Sequence, residues 1–95
     1  MARTPIHPGE ILADEIDARE GLTKTALARL IDVPPGRISE IIAGKRSITA
    51  DTALRLGKFL GTEPEFWMNL PKNYELRTAR DTIGPELEKI PVHAV

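Results

Sequence analysis

Arg37, Ser39 and Glu40, close behind Pro35 and Gly36, are residue types that read the edges of DNA bases. A guanidinium donates two hydrogen bonds to guanine, a carboxylate accepts from cytosine, and a proline ring touches the thymine methyl. Gly36 brings no side chain and suits close approach of the backbone. On either side of this group, Lys24 and Thr25 upstream and Lys45 and Arg46 downstream are suited to hold phosphates and so set orientation.

Other chemistries find less support. Glu10, Asp14, Glu15 and Asp17 form an acidic cluster, and at helical spacing Glu10 with Asp14, and Asp14 with Asp17, share a face that could be imagined around a divalent metal. No histidine or basic residue is spaced to assist them, and acidic residues near a helix start are ordinarily solvated and favoured by its dipole. His7 and His93 stand at opposite ends of the chain with no third ligand near either, and Ser39 has no histidine partner for a hydrolytic triad. There is no cysteine, which removes disulfides, Cys-ligated zinc and thiol nucleophiles together. The expectation is a protein that is not an enzyme and has neither metal nor cofactor.

The net charge of -1 argues against nucleic acid only until its distribution is considered. Between Met1 and Glu20, two basic residues (Arg3, Arg19) stand against five acidic ones. Between Lys24 and Arg46 the balance reverses, with five basic residues against Asp32 and Glu40. A basic segment in a nearly neutral chain can still present a DNA-facing surface.

The elements that must position these residues are helices. Pro8 suits a first turn, Ile11, Leu12 and Ile16 recur at helical spacing, and Gly21 ends the pattern, giving a helix over about His7 to Glu20. Thr23 caps a second helix from Lys24, with Leu22 and Leu27 as a hydrophobic staple and Leu27, Ala28, Leu30 and Ile31 inward. That helix must end before Pro34 and Pro35, which themselves begin a third. In the third, Ile38, Ile41 and Ile42 face inward and Gly44 stops the helix. Thr49 caps a fourth helix with Leu54, Leu56, Phe59 and Leu60 for the core, ended by Gly61. Thr62 to Glu65 reads as a capping box for a fifth, which runs to about Asp81 with Pro71 kinking or dividing it. Two short helices around Ile31 to Pro34 have the spacing of a helix-turn-helix unit, over about residues 22–46, in which one helix braces the backbone and the next enters the major groove.

Ninety-five residues at 41% hydrophobic content support one domain. It is expected over residues 1–81, with 82–95 a mobile tail containing Gly84, Pro85 and Pro91. All four aromatic residues lie in the second half. Phe66, Trp67, Leu70 and Tyr74 form a stripe read first as core, next as a dimer interface, because two half-sites on DNA need a symmetric pair, and otherwise as a surface for a protein partner. No stretch approaches the ~20 apolar residues that span a bilayer, and residues 1–7 lack a signal-peptide run. The expectation is a cytoplasmic protein without a membrane partner.

Several longer strings resemble the HigA, or VapI-like, family of antitoxins within the Xre-type, phage-repressor-like class. They are His7-Pro8-Gly9-Glu10-Ile11-Leu12, Gly21-Leu22-Thr23, Val33-Pro34-Pro35, Arg37-Ile38-Ser39-Glu40-Ile41, Gly44-Lys45-Arg46, Ile48 through Leu56, and Glu65-Phe66-Trp67-Met68-Asn69-Leu70. The resemblance covers about residues 6–80. It implies an all-α, five-helix phage-repressor-like fold, a homodimer, binding to double-stranded operator DNA that represses the protein's own operon, and neutralisation of a HigB-like, mRNA-cleaving toxin. It also carries the base-reading role onto Pro35, Gly36, Arg37, Ser39 and Glu40 and the phosphate role onto Lys24, Thr25, Lys45 and Arg46. A stand-alone Xre-type regulator without a toxin fits the helix-turn-helix residues equally well, and a small toxin gene beside this one would separate the two readings.

Overall fold

The computed structural model describes residues 6–93; Arg3 and the last two tail residues, Ala94 and Val95, lie outside them. Five helices follow in order: α1 (Pro8–Asp17), α2 (Lys24–Leu30), α3 (Arg37–Ile42), α4 (Ala50–Leu60) and α5 (Pro64–Leu87), with no strand among the described residues. This is the all-α, five-helix architecture expected from periodicity and punctuation.

The starts of the helices follow their caps. His7 Nδ1 accepts from Gly9 N at 2.9 Å, the Thr23 hydroxyl from Ala26 N at 3.0 Å, and the Thr49 hydroxyl from Thr52 N at 3.3 Å, each satisfying a donor that the first turn leaves orphaned. Pro34 and Pro35 do not begin α3 as expected. Pro35 disfavours helical geometry in Pro34, and the chain instead makes a turn closed by Arg37 N on Pro34 O at 2.9 Å, so that Gly36 takes the cap position and Arg37 is the first helical residue. α1 ends at Asp17, short of Glu20. There Ala18 N reaches Asp14 O, Arg19 N bonds Ile16 O in a tightened turn, and the Arg19 guanidinium takes the Glu15 carbonyl at 2.7 Å.

The core is aliphatic through the first four helices, as the absence of early aromatics requires. Leu12 and Ile16 of α1, Leu27 and Ala28 of α2, Ile38 and Ile41 of α3 and Leu56 of α4 meet around one centre, closed by Trp67. Three residues assigned to the core lie outside it: Leu30, Leu54 and Phe59 are exposed. In α4 the inward face is taken by Ala53, Leu56, Gly57 and Leu60, a helical repeat that turns Leu54 and Phe59 outward. Leu30 is carried outward at the end of a helix whose buried residues are Leu27 and Ala28.

α5 departs most from expectation. It is one helix across Pro71, neither ended nor divided there, and it continues past Asp81 to Leu87 across Gly84 and Pro85, so residues 82–87 are helical. The capping box also fails to form. Glu63 is the cap residue and makes no side-chain cap bond, because the Thr62 hydroxyl is occupied by Trp67, whose indole Nε1 donates to it at 2.8 Å. A buried tryptophan needs an acceptor for its N–H, and that demand displaces the cap.

Candidate nucleic-acid interface

α3 is six residues long and draws its position from its neighbours. Ile38 and Ile41 are buried against α1 and α2, which leaves Pro35, Gly36 and Ser39 exposed and Arg37 and Glu40 half-buried. The expected base-reading residues therefore share the first turns of a helix whose back is fixed in the core. Ser39 faces a shallow groove that also receives Thr23, Lys24 and Thr25 from the start of α2. At the other end of α3, Lys45 and Arg46 border a second groove, with His7, Tyr74 and Glu75 across from them. The two cationic groups thus flank α3 from opposite ends.

Two of the side chains are engaged in ways that residue type alone does not reveal. Glu40 Oε1 lies 3.6 Å from Arg46 Nε, so the carboxylate assigned to a cytosine also steadies a phosphate-type cation. Both partners are more than two-fifths exposed, and such a pair is worth little to stability; its effect is to aim Arg46. The Arg37 Nε is enclosed and has no hydrogen-bond acceptor among the described residues, a cost of about 1–3 kcal/mol for a desolvated donor. Gly36 has backbone angles of φ -87° and ψ -3°, and a Cβ there would meet nothing nearer than the Glu40 carboxylate at 3.9 Å. A side chain is therefore allowed at this position.

The turn between α2 and α3 depends on residues that the sequence reading passed over. Asp32 adopts φ 58°, the left-handed region, and is the sole non-glycine there among the described residues; Val33 N then bonds back to Ala28 O at 2.9 Å. Arg55 reaches across from α4 and donates to Ile31 O at 2.9 Å and Asp32 O at 3.4 Å, while its Nε donates to Asp51 at 2.7 Å. The hydrogen bond and charge of Asp51 raise the Arg55 pKa further above its ordinary value. A permanent cation thus closes the C-terminal end of α2, where free carbonyls and the helix dipole favour it. The signals were an aspartate, which tolerates left-handed geometry, before Val33-Pro34, and an Asp51–Arg55 pair at helical spacing. Nothing local connects Arg55 to a turn 23 residues earlier.

His7 was read only as a helix-start residue, and it is one. Its ring also lies over Gly44, where an added Cβ would come within 3.3 Å of Nε2, and stands edge-on to Tyr74 with centroids 5.1 Å apart. It ties α1, the basic loop and α5 together beside Lys45 and Arg46. Of the four residues given as a possible dimer interface, Trp67 is fully buried, Leu70 packs against the core and Tyr74 turns to His7. Only Phe66 faces outward, its ring edge-on to Trp67 at 5.0 Å. Trp67 thus follows the first reading of the stripe, as core, and is not available to a partner. The acidic residues Glu10, Asp14 and Asp17 are exposed, Glu15 pairs with Arg19 at 2.9 Å, and no group of three metal-ligating side chains gathers among the described residues. No helix among them is long and apolar enough to cross a membrane.

Comparison with known proteins converges on the same geometry. A helix-turn-helix family model matches residues 16–67. Virulence-associated protein I of Dichelobacter nodosus is 47% identical over 74 residues, which cover 78% of this chain and 68% of that protein. Among solved structures, an addiction module antidote protein of the HigA family from Coxiella burnetii superimposes with a TM-score of 0.85 at 46% identity, covering 97% of this chain and 100% of that one. The Pseudomonas aeruginosa antitoxin HigA, solved with the higBA promoter, has a TM-score of 0.78 at 40% identity, covering 96% of this chain and 99% of that one.

Proposed function

The chain belongs to the helix-turn-helix family of HigA-type antitoxins and VapI-like regulators, and from that membership we propose that it represses its own operon and neutralises a HigB-like toxin that cleaves mRNA. In this reading α3 enters the major groove of double-stranded operator DNA. Arg37 contacts a guanine, Ser39 and Glu40 face neighbouring base edges, Pro35 lies against a thymine methyl, and Gly36 lets the backbone approach. Lys24 and Thr25 hold phosphates on one side, Lys45 and Arg46 on the other. Two copies act together, because palindromic half-sites about 34 Å apart need two groove helices related by a two-fold axis. A protein with this partner works in the cytoplasm, alongside the chromosome.

One observation carries the DNA reading: α3 is locked inward by Ile38 and Ile41 while its outward residues lie between two cationic flanks. Its test is fluorescence anisotropy at physiological salt with the DNA upstream of the protein's own gene and a scrambled duplex of equal length. A preference of about 10³-fold or more is expected; equal affinities would remove the repressor function. Toxin neutralisation is supported by the likeness to an antidote protein of the HigA family and to the antitoxin HigA. Co-expression with the product of the adjacent small gene tests it: growth arrest by that product alone, relieved by this protein, is expected. Absence of a toxic neighbour would leave a stand-alone Xre-type regulator.

A further inference from the structure

One imidazole stands where three parts of the fold meet beside the proposed DNA face. His7 Nδ1 accepts the Gly9 N–H at 2.9 Å, and Gly9 is the residue whose backbone presses on Ile42 at the end of α3, where a Cβ would overlap the carbonyl oxygen. The other ring nitrogen, Nε2, faces Gly44, whose added Cβ would lie 3.3 Å from it. Gly44 holds φ 76° and leads directly into Lys45 and Arg46. Tyr74 of α5 closes the third side, edge-on to the ring with centroids 5.1 Å apart. The loop that carries the two proposed phosphate cations therefore begins at a residue resting on His7.

The cap bond fixes the protonation state of that ring. Nδ1 can accept only while it carries no proton, so the imidazole is neutral with its proton on Nε2. A second proton, on Nδ1, would set a donor against the Gly9 N–H and break the cap. The charged and titratable side chains about the ring come from every neighbouring element. Lys45 and Arg46 of the loop and Tyr74 and Glu75 of α5 line the same groove. Glu10 follows in the first turn of α1, and α3 contributes Glu40, 3.6 Å from Arg46. Among these residue types imidazole alone ordinarily changes charge between about pH 5 and 8.

We propose that neutral His7 is a positioning residue for the phosphate-holding loop, and that protonating it releases Lys45 and Arg46 and weakens DNA binding. This rests on the DNA reading above. The direction is opposite to that of a histidine lying on the DNA itself, where added positive charge strengthens binding to phosphates. Here the proton removes the support of two cations and gains one. Phosphate contacts carry no sequence information, so cognate and scrambled duplexes lose alike.

Anisotropy titrations of the full chain on both duplexes, between about pH 8 and about pH 5.5, test this, with circular dichroism at each pH to follow the helices. H7N is the reference, because asparagine supplies a cap acceptor without a titrating ring and retains the pH response of every other group. The affinity of the wild type relative to H7N is expected to fall about fivefold on acidification, the scale of a lost N-cap, on both duplexes and with the helical signal kept. H93Q, which removes the other of the two histidines, should show the same fall. Heteronuclear NMR of the imidazole should show the Nε2–H tautomer of His7 at the upper pH. A wild-type to H7N ratio that stays constant or rises on acidification overturns the inference, as does a fall confined to the cognate duplex or a proton on Nδ1 at the upper pH. Absence of any operator preference at the upper pH would instead remove the repressor reading, and the phosphate role of the loop with it.

Discussion

Arg37 opens α3 and Lys45 lies in the loop after it, and their surroundings suit them to different parts of the proposed DNA contact. The Arg37 side chain is half-buried at the first turn of α3 with its Nε enclosed, so its reach is restricted, whereas Lys45 is exposed in the loop beyond it. R37A should therefore lose about 1–3 kcal/mol on cognate DNA and relax preference at one base position, and K45A should weaken cognate and scrambled duplexes alike and lower the salt slope by about 1. Anisotropy titrations at several salt concentrations check both, and equal losses on the two duplexes for R37A would remove its base-reading role. Asp32 offers a second test, one of stability. Its left-handed backbone costs an ordinary residue about 1–2 kcal/mol, part of which glycine recovers. D32G should raise stability by up to about 1 kcal/mol in urea, and D32V should lower it by at least as much.

Helix against helix, the contact that fixes the proposed DNA face is the crossing of α1 over the end of α3. A Cβ on Gly9 would overlap the Ile42 carbonyl oxygen, so the two backbones meet with no room for a side chain. Gly57 has a similar crossing in α4, where a Cβ would come within 2.7 Å of the Thr62 carbonyl oxygen, but this lies between α4 and the start of α5. Both G9A and G57A should destabilise by about 1–3 kcal/mol through overpacking. Their effects on DNA should differ: G9A displaces α3 and is expected to lower operator specificity, while G57A leaves the cognate-to-scrambled ratio unchanged. Thermal melts beside anisotropy measure the two effects separately, and an unchanged ratio for G9A would show that α3 holds its place by its isoleucines alone.

The whole molecule is extended for its length. Its radius of gyration is 16.6 Å and its dimensions 52 × 31 × 21 Å, against about 12 Å for a compact chain of this size. The excess lies along α5, whose 24 residues reach about 36 Å at the helical rise. In the homodimer proposed above, the two α3 helices would stand at one fixed separation. Inserting five base pairs between the operator half-sites turns one of them to the far side of the duplex, about half a helical turn. Affinity should then fall to that of a single half-site, and an insertion of ten should recover part of it. Insensitivity to both insertions would mean that the two groove helices are not rigidly coupled.

Elements that depend on neighbours within a few residues are legible in the chain before it folds. Thr23 and Thr49 announce their helices because an N-cap acts on donors two or three positions away, and Pro8, Gly44 and Gly61 act through their own dihedral angles. The inward isoleucines of α3, and with them the outward placement of Ser39 beside Arg37 and Glu40, follow from helical periodicity alone. Tertiary structure decided the rest, because those outcomes turn on partners distant in the chain. Arg55 closes the turn at Ile31 and Asp32 only when α4 lies against α2, and Thr62 gives its hydroxyl to Trp67 only once that ring is buried. The length of α5 is the clearest case: Pro71, Gly84 and Pro85 predict interruption by local rules, and a continuous helix prevails with Leu76, Ile83 and Leu87 exposed.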